Sequence, residues 1–322
     1  MVQSRSRHLV DPELAPLLEL FPPIVLSDET LHQLRDLQLA EAPISETGAR
    51  VEVRRFSLPG PPGAPEVPAI LYLPPQAARP MPCIFHIHGG GFVAGKAERQ
   101  EPMHRDLAHD LSCAILSVDY RLAPETPFPG AIEDCYAALA WLFAKAGEFG
   151  IDATRIGVMG ESAGGGLAAA LALLARDRGE HRLAFQHLIY PMLDDRTCVA
   201  AHPHPLTGEF IWTAHNNHYG WRSLLGAEPG GAEVSAYAAP ARAADVSGLP
   251  PTFLSTAALD LFLEENLDYA RRLMRAGVPV ELHVWSGAFH AFDLVPAAEV
   301  ARRARRESKA GLEKALGGAQ AP

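Results

Sequence analysis

The sequence predicts an α/β fold, a mostly parallel, twisted central sheet flanked by helices and carrying helical additions. Three observations predict it. Eight short runs rich in β-branched or aromatic residues recur from Val51 onward. Longer segments of helical periodicity separate most of the later runs, and parallel strands need such crossovers, which also keep both sheet faces dry. Two stretches, one before Val51 and one between Leu193 and Ser235, stand outside the alternation.

From Asp11 to about Ile44 apolar residues fall at helical spacing, as at Leu31, Leu34, Leu37 and Leu39, and Pro22-Pro23 divides the pattern, so this segment reads as a small helical appendage. The strand runs follow as VEVRRFSL, AILYL, CIFHIH, AILSVDY, IGVMG, LIYPML, TFLSTA and VELHVW. Between the sixth and seventh lies GEFIWTAHNNHYGWRSLLG, whose Phe210, Trp212, Tyr219 and Trp221 exceed what a plain connection requires, and it reads as a second lid element. The chain therefore divides into an N-terminal segment (1–48), a core in two parts (49–193 and 236–322) and an insertion (194–235). Near the C-terminus Arg302, Arg303, Arg305 and Arg306 sit with Glu299 and Glu307 in a helical pattern, which reads as a solvated helix face.

Of 322 residues 48% are hydrophobic and 20% charged, a globular balance that sets aside disorder, collagen and coiled coil. The formal charge of -10 repels phosphate backbones and argues against nucleic acid as a partner. Cys83, Cys113, Cys135 and Cys198 lie far apart without a CxxC pair and read as apolar fillers, so neither a zinc framework nor a disulfide scaffold is expected. The start, MVQSRSRHLVDPELAP, lacks the apolar stretch of a signal peptide, and no run of about 18 apolar residues occurs. A cytoplasmic protein without a membrane span is the expectation.

In RIGVMGESAGGGLAAALALLA an apolar strand meets a helix through Gly160, Ser162 and Gly164, a GxSxG elbow. The flanking glycines make room for a serine in a strained turn, and the first helical turn offers free N–H groups to developing negative charge. Upstream, His88, Gly89, Gly90 and Gly91 follow the strand CIFHI, and consecutive glycines let a loop turn its N–H groups toward one point, as a tetrahedral oxyanion requires. A serine hydroxyl needs a base. His290 follows the strand VELHVW late in the chain, and Asp260 follows TFLSTA, where a carboxylate can hold an imidazole in one tautomer. Each of the three falls at the end of a predicted strand, where open α/β sheets bind ligands.

With these residues in place the chain resembles the bacterial hormone-sensitive-lipase-like esterases of the α/β-hydrolase superfamily. HGGGF from His88 to Phe92, DYRLAPE from Asp119 to Glu125, FPGAIED from Phe128 to Asp134, GESAGG from Gly160 to Gly165 and GAFHAF from Gly287 to Phe292 carry the resemblance, which spans the chain from about Val51 onward. It implies an α/β-hydrolase fold with a helical cap, Ser162 as nucleophile, His290 as base and then acid, and Asp260 as orienting carboxylate. It also implies an oxyanion hole made by the N–H groups of Gly90, Gly91 and Ala163, with His88 and Gly89 bracing the loop, and no cofactor or metal.

Three departures from the family pattern bear on the site. The acid motif reads DLFLEEN, so Glu264 and Glu265 are alternative acids; Asp260 is preferred as nearest the strand end, the glutamates reading as a solvated helix face. Glu161 precedes the nucleophile where Asp or Thr is common, and a structural role on nearby loop groups is expected for it. Ala291 replaces a common glycine after the base. Asp194 and Asp195 read as a loop cap or an ion pair with Arg196, and Glu125 and Asp134 as holding loops and helix ends.

The function expected is a serine carboxylesterase acting on short- to medium-chain acyl esters with water as acceptor. A non-catalytic receptor on the same scaffold and an acyltransferase using the same residues remain as alternatives, and a homodimer stays open. Pocket candidates are Phe92, Trp212, Tyr219 and Leu261, with Trp221, Leu20 and Phe21 as further apolar lid residues.

Overall fold

The structure is a computed structural model, and it describes residues 4–20, 24–37 and 43–317. In chain order the elements are α1 (Leu17–Leu20), α2 (Leu31–Asp36), β1 (Glu52–Leu58), β2 (Val67–Leu73), β3 (Met81–Ile87), α3 (Glu101–Leu111), β4 (Ala114–Val118), α4 (Gly130–Phe149), β5 (Ile151–Glu161), α5 (Ala163–Arg178), β6 (Gln186–Ile189), α6 (Ala214–Leu225), β7 (Thr252–Ala257), α7 (Leu263–Arg275), β8 (Val280–Trp285) and α8 (Glu299–Leu316). All eight strands join one sheet in the order β1-β2-β4-β3-β5-β6-β7-β8. The pairs β1·β2 and β2·β4 are antiparallel and the remaining five are parallel. This is the α/β-hydrolase architecture.

Burial follows position in the sheet. Every residue of β3, β4, β6 and β7 is buried, as befits strands covered on both faces. Edge strand β1 is exposed or half-exposed at every residue but Leu58. Among the helices, α5 is buried along thirteen consecutive residues, Ala163 to Ala175, so its small side chains let it lie close against β5 and β6. By contrast α7 buries only Glu265, Asn266, Tyr269, Ala270 and Leu273, one stripe of an amphipathic helix.

The N-terminal segment departs from its helical expectation. Its described helices are a four-residue and a six-residue piece, too short to be stable alone. Pro12, Pro16 and Pro43 interrupt the segment, and tertiary bonds fix its path instead. Leu26 N–H donates to Asn216 Oδ1 at 3.0 Å, while Asn216 Nδ2 donates to the Ile24 carbonyl at 2.8 Å. Arg35 grips Glu125 with two bonds of 2.7 Å and reaches the Val93 carbonyl at 2.8 Å. Phe21, Pro22, Pro23 and Leu39, together with the Leu20 side chain, lie outside the described residues. Among the described residues no helix is long and apolar enough to cross a membrane.

Candidate active site

Ser162 caps α5 with φ 55° and ψ -122°, a conformation an L-residue adopts only when its surroundings impose it. The imposition comes from the loop beneath. A Cβ built on Gly164 would lie 2.1 Å from the Ile87 carbonyl oxygen and 2.4 Å from that of His88, so only glycine lets the elbow close onto the end of β3. Ser162 N–H donates to the Ile189 carbonyl and its own carbonyl accepts from Met192 N–H, both at 2.9 Å, which ties the elbow to the end of β6.

His290 Nε2 lies 2.9 Å from Ser162 Oγ and its Nδ1 lies 2.7 Å from Asp260 Oδ2. Asp260 is buried, and its other oxygen accepts Phe262 N–H at 3.0 Å. A carboxylate can only accept, so the Asp260 contact keeps the proton on Nδ1 and leaves the Nε2 lone pair facing the serine. Leu259 N–H to the Ala288 carbonyl and Ala258 N–H to that of Trp285, both at 2.9 Å, hold the Asp260 and His290 loops together. The imidazole is walled by the Tyr190 ring at 4.8 Å and the Phe262 ring at 5.2 Å, both edge to face. Neither was singled out from the sequence, although Tyr190 directly follows β6 and Phe262 lies two residues beyond Asp260.

Gly90 and Gly91 take φ of +125° and +62°, and the Gly90 carbonyl accepts from Val93 and Ala94. The N–H groups of Gly90 and Gly91 make no hydrogen bond among the described residues, and Ala163, first in α5, has no carbonyl one turn back. His88 donates from Nδ1 to the Gly89 carbonyl at 2.8 Å and stacks on Tyr120, whose hydroxyl donates to the His88 carbonyl at 2.9 Å. Burial pushes the His88 pKa down, so it sits there neutral. Glu161 accepts from His86 Nε2 at 3.0 Å and from Gln100 at 3.4 Å. Burial alone would raise its carboxyl, but the charge and hydrogen bond of His86 and the Gln100 bond outweigh it and hold the group below its ordinary range.

The expectations for Glu265, Phe92 and Tyr219 need correcting. Glu265 does not belong to a solvated face; it is buried and accepts from Leu193 N–H at 2.6 Å, Asp194 N–H at 3.3 Å and the Thr197 hydroxyl. Helical spacing from the exposed Glu264 could not show that the start of the insertion folds onto it. Phe92 is 1% exposed and packs on the fully buried Trp221 at 5.1 Å, in the core rather than on an open pocket. Tyr219 points its hydroxyl at Asp28 Oδ1, 3.1 Å away on the N-terminal segment. Leu261 packs beside Gly208, between the Asp260 loop and the insertion, and the Trp212 ring lies 6.4 Å from His290.

Asp194 and Asp134 act as expected, whereas Asp195 pairs with Arg242 instead of Arg196. Asp194 pairs with Arg196 at 2.7 Å, while Asp195 is fully buried on Arg242 and Gly230. Asp134 accepts the Arg121 N–H and guanidinium, bracing the start of α4. Among the described residues no group of three or more His, Cys, Asp or Glu could hold a metal ion.

The chain matches the family model of the α/β-hydrolase fold over residues 84–294. It is 35% identical over 285 residues to the carboxylesterase NlhH of Mycobacterium tuberculosis, covering 86% of each chain, and 32% identical over 305 residues to the esterase LipI of the same organism, covering 91% and 92%. Among solved structures a bacterial heroin esterase superposes with a TM-score of 0.86 at 41% identity, covering 96% and 98% of the two chains. An elbow serine beside a late histidine, on this sheet and at these identities, places the chain among the hormone-sensitive-lipase-like esterases of the α/β-hydrolase superfamily, as a carboxylic ester hydrolase.

Proposed function

We propose that the protein hydrolyses short- to medium-chain acyl esters in two steps through an acyl-serine, with Ser162 as nucleophile, His290 as base and then acid, and Asp260 as orienting carboxylate. The observation that carries this reading is the continuous pair of contacts, 2.7 Å and 2.9 Å, from Asp260 through His290 to Ser162. Nε2 takes the serine proton as Oγ attacks the ester carbonyl, and Asp260 stabilises the imidazolium. The N–H groups of Gly90, Gly91 and Ala163 receive the oxyanion, each such donor contributing about 3 kcal/mol to the transition state. Collapse expels the alcohol, which takes the proton from Nε2. Water then repeats the sequence from the same side and releases the acid.

Residues 1–48 and 194–235 serve in this reading as a cap over a core of 49–193 and 236–322, and a relative from Pseudomonas putida, 32% identical over 229 residues, is named an ethyl acetate hydrolase, in keeping with a small ester. The open edge of β8, with Val284 45% exposed, would form the seam of a homodimer.

Ser162→Ala tests the mechanism. Turnover of p-nitrophenyl acetate is expected to fall on the order of 10⁴-fold or more, with the fold intact, and labelling by a fluorophosphonate probe should vanish. Near-native hydrolysis by this variant would sink the assignment.

A further inference from the structure

Ile211 holds φ at +60°, where a β-branched residue sits only under strain. One hydrogen bond shows why: Trp212 N–H donates to the Phe210 carbonyl at 2.6 Å, closing a three-residue turn. That turn presents the Trp212 indole. Its Nε1–H donates to Asn217 Oδ1 at 3.1 Å, and Asn217 is fully buried in the first turn of α6, which fixes the plane of the ring.

The indole reaches the reacting groups from both directions. A Cβ built on Gly91 would lie 2.2 Å from its Cη2 carbon, so ring and glycine are in van der Waals contact, while the ring centroid stands 6.4 Å from that of the His290 imidazole. Gly220 of α6 supports Gly91 as well, its own Cβ position falling 2.8 Å from the Gly91 carbonyl oxygen. The ring thus extends from the oxyanion loop toward the base, along the space the scissile carbonyl and its substituents must occupy. The indole touches Gly91, in the loop that receives the carbonyl oxygen, so it borders the carbonyl group of a bound ester, whose acyl side stays in the site through both steps.

We propose that Trp212 is a specificity-determining residue, a wall that the strained Phe210 to Trp212 turn holds across the acyl site and that ends the acyl chain after a few carbons. The proposal rests on the serine mechanism above and adds the residue that sets chain length. Each methylene admitted to an apolar site changes kcat/KM about fourfold, equivalent to about 0.8 kcal/mol.

The test is kcat/KM for p-nitrophenyl acetate and octanoate in wild type, Trp212→Ala and Trp212→Phe. The octanoate-to-acetate ratio is expected to rise at least tenfold in the alanine variant and at least threefold in the phenylalanine variant. A smaller rise in the phenylalanine variant overturns the proposal, and that variant decides if the alanine variant fails to unfold cooperatively; in a folded alanine variant, a ratio below tenfold overturns it too. So does a shift seen only when alcohol length varies on a fixed acetyl group. Ser162→Ala in the same assay separates the two readings. Native turnover there overturns the serine mechanism, whereas an inert Ser162→Ala with an unchanged ratio in the Trp212 variants overturns the wall alone.

Discussion

Ser162 and Ala291 both sit at positive φ, 55° and 60°, but only the first has a chemical reason to. At Ser162 the strained turn lifts the hydroxyl to His290. Ala291, just after His290, bears the left-handed conformation, which strains any residue that carries a Cβ. Ala291→Gly removes that strain but loosens the unfolded chain, and the first effect is the larger. The variant is expected to gain roughly 0.5 kcal/mol and about 1 °C in Tm by calorimetry, at unchanged kcat. A lower Tm would contradict the reading of strain. The motif made Ser162, Asp260 and His290 legible, because each is a polar residue at a strand end. The role of Glu265 was not, since its partners Leu193 and Asp194 lie about seventy residues away in sequence and carry no signal of their own.

At the scale of elements, the N-terminal segment and the insertion hold each other through few and specific bonds. Glu209 of the insertion accepts from Ser4 Oγ at 2.8 Å, Arg5 N–H at 3.1 Å and both the N–H and hydroxyl of Ser6 at 2.9 and 2.5 Å. Burial opposes the charge on this carboxylate, but the donors from Ser6, Arg5 and Ser4 win and hold its pKa at about 2, down from 4.5. A depressed carboxyl contributes stability that is complete above 4.5 and fades as pH falls toward 2. Glu209→Gln is expected to weaken the attachment by about 1 to 2 kcal/mol. Amide exchange at Leu9 and Val10, whose N–H groups bond to Ser6 and Arg7, should accelerate while β3 and β5 stay protected. Equal acceleration everywhere would mean the segment is not a separate element.

For the whole molecule, three buried histidines set the response to acid. Burial lowers the pKa of His88 and of His104, and brings His187 to about 3. A histidine depressed in the folded state contributes stability that is present above its unfolded value near 6.5 and lost as pH falls below it, because only the unfolded chain then binds the proton. Each one costs about 1.4 kcal/mol per pH unit in that window. Glu265 and Asp293, raised by burial, oppose this. The sum of one to three net protons predicts a loss of about 1 to 4 kcal/mol between pH 6.5 and 5.5, measurable by urea unfolding. A flat profile there would show that these imidazoles protonate without unfolding.

Eight strand runs and a mostly parallel sheet could be read before any coordinates, because hydrophobic runs of four to eight residues and the crossovers between them are local patterns, whereas the order of the strands in the sheet was not legible. The same holds for the elbow serine and the glycine loop, whose chemistry needs particular residues at fixed spacing. What only the tertiary structure decided depends on groups distant in sequence: which aromatics wall the imidazole, which are core, and that a short irregular N-terminal segment is shaped by Asn216 and Glu209 rather than by its own helical pattern. Helix and strand propensities act over a few residues, whereas a buried carboxylate or an indole is placed by whatever the folded chain brings against it.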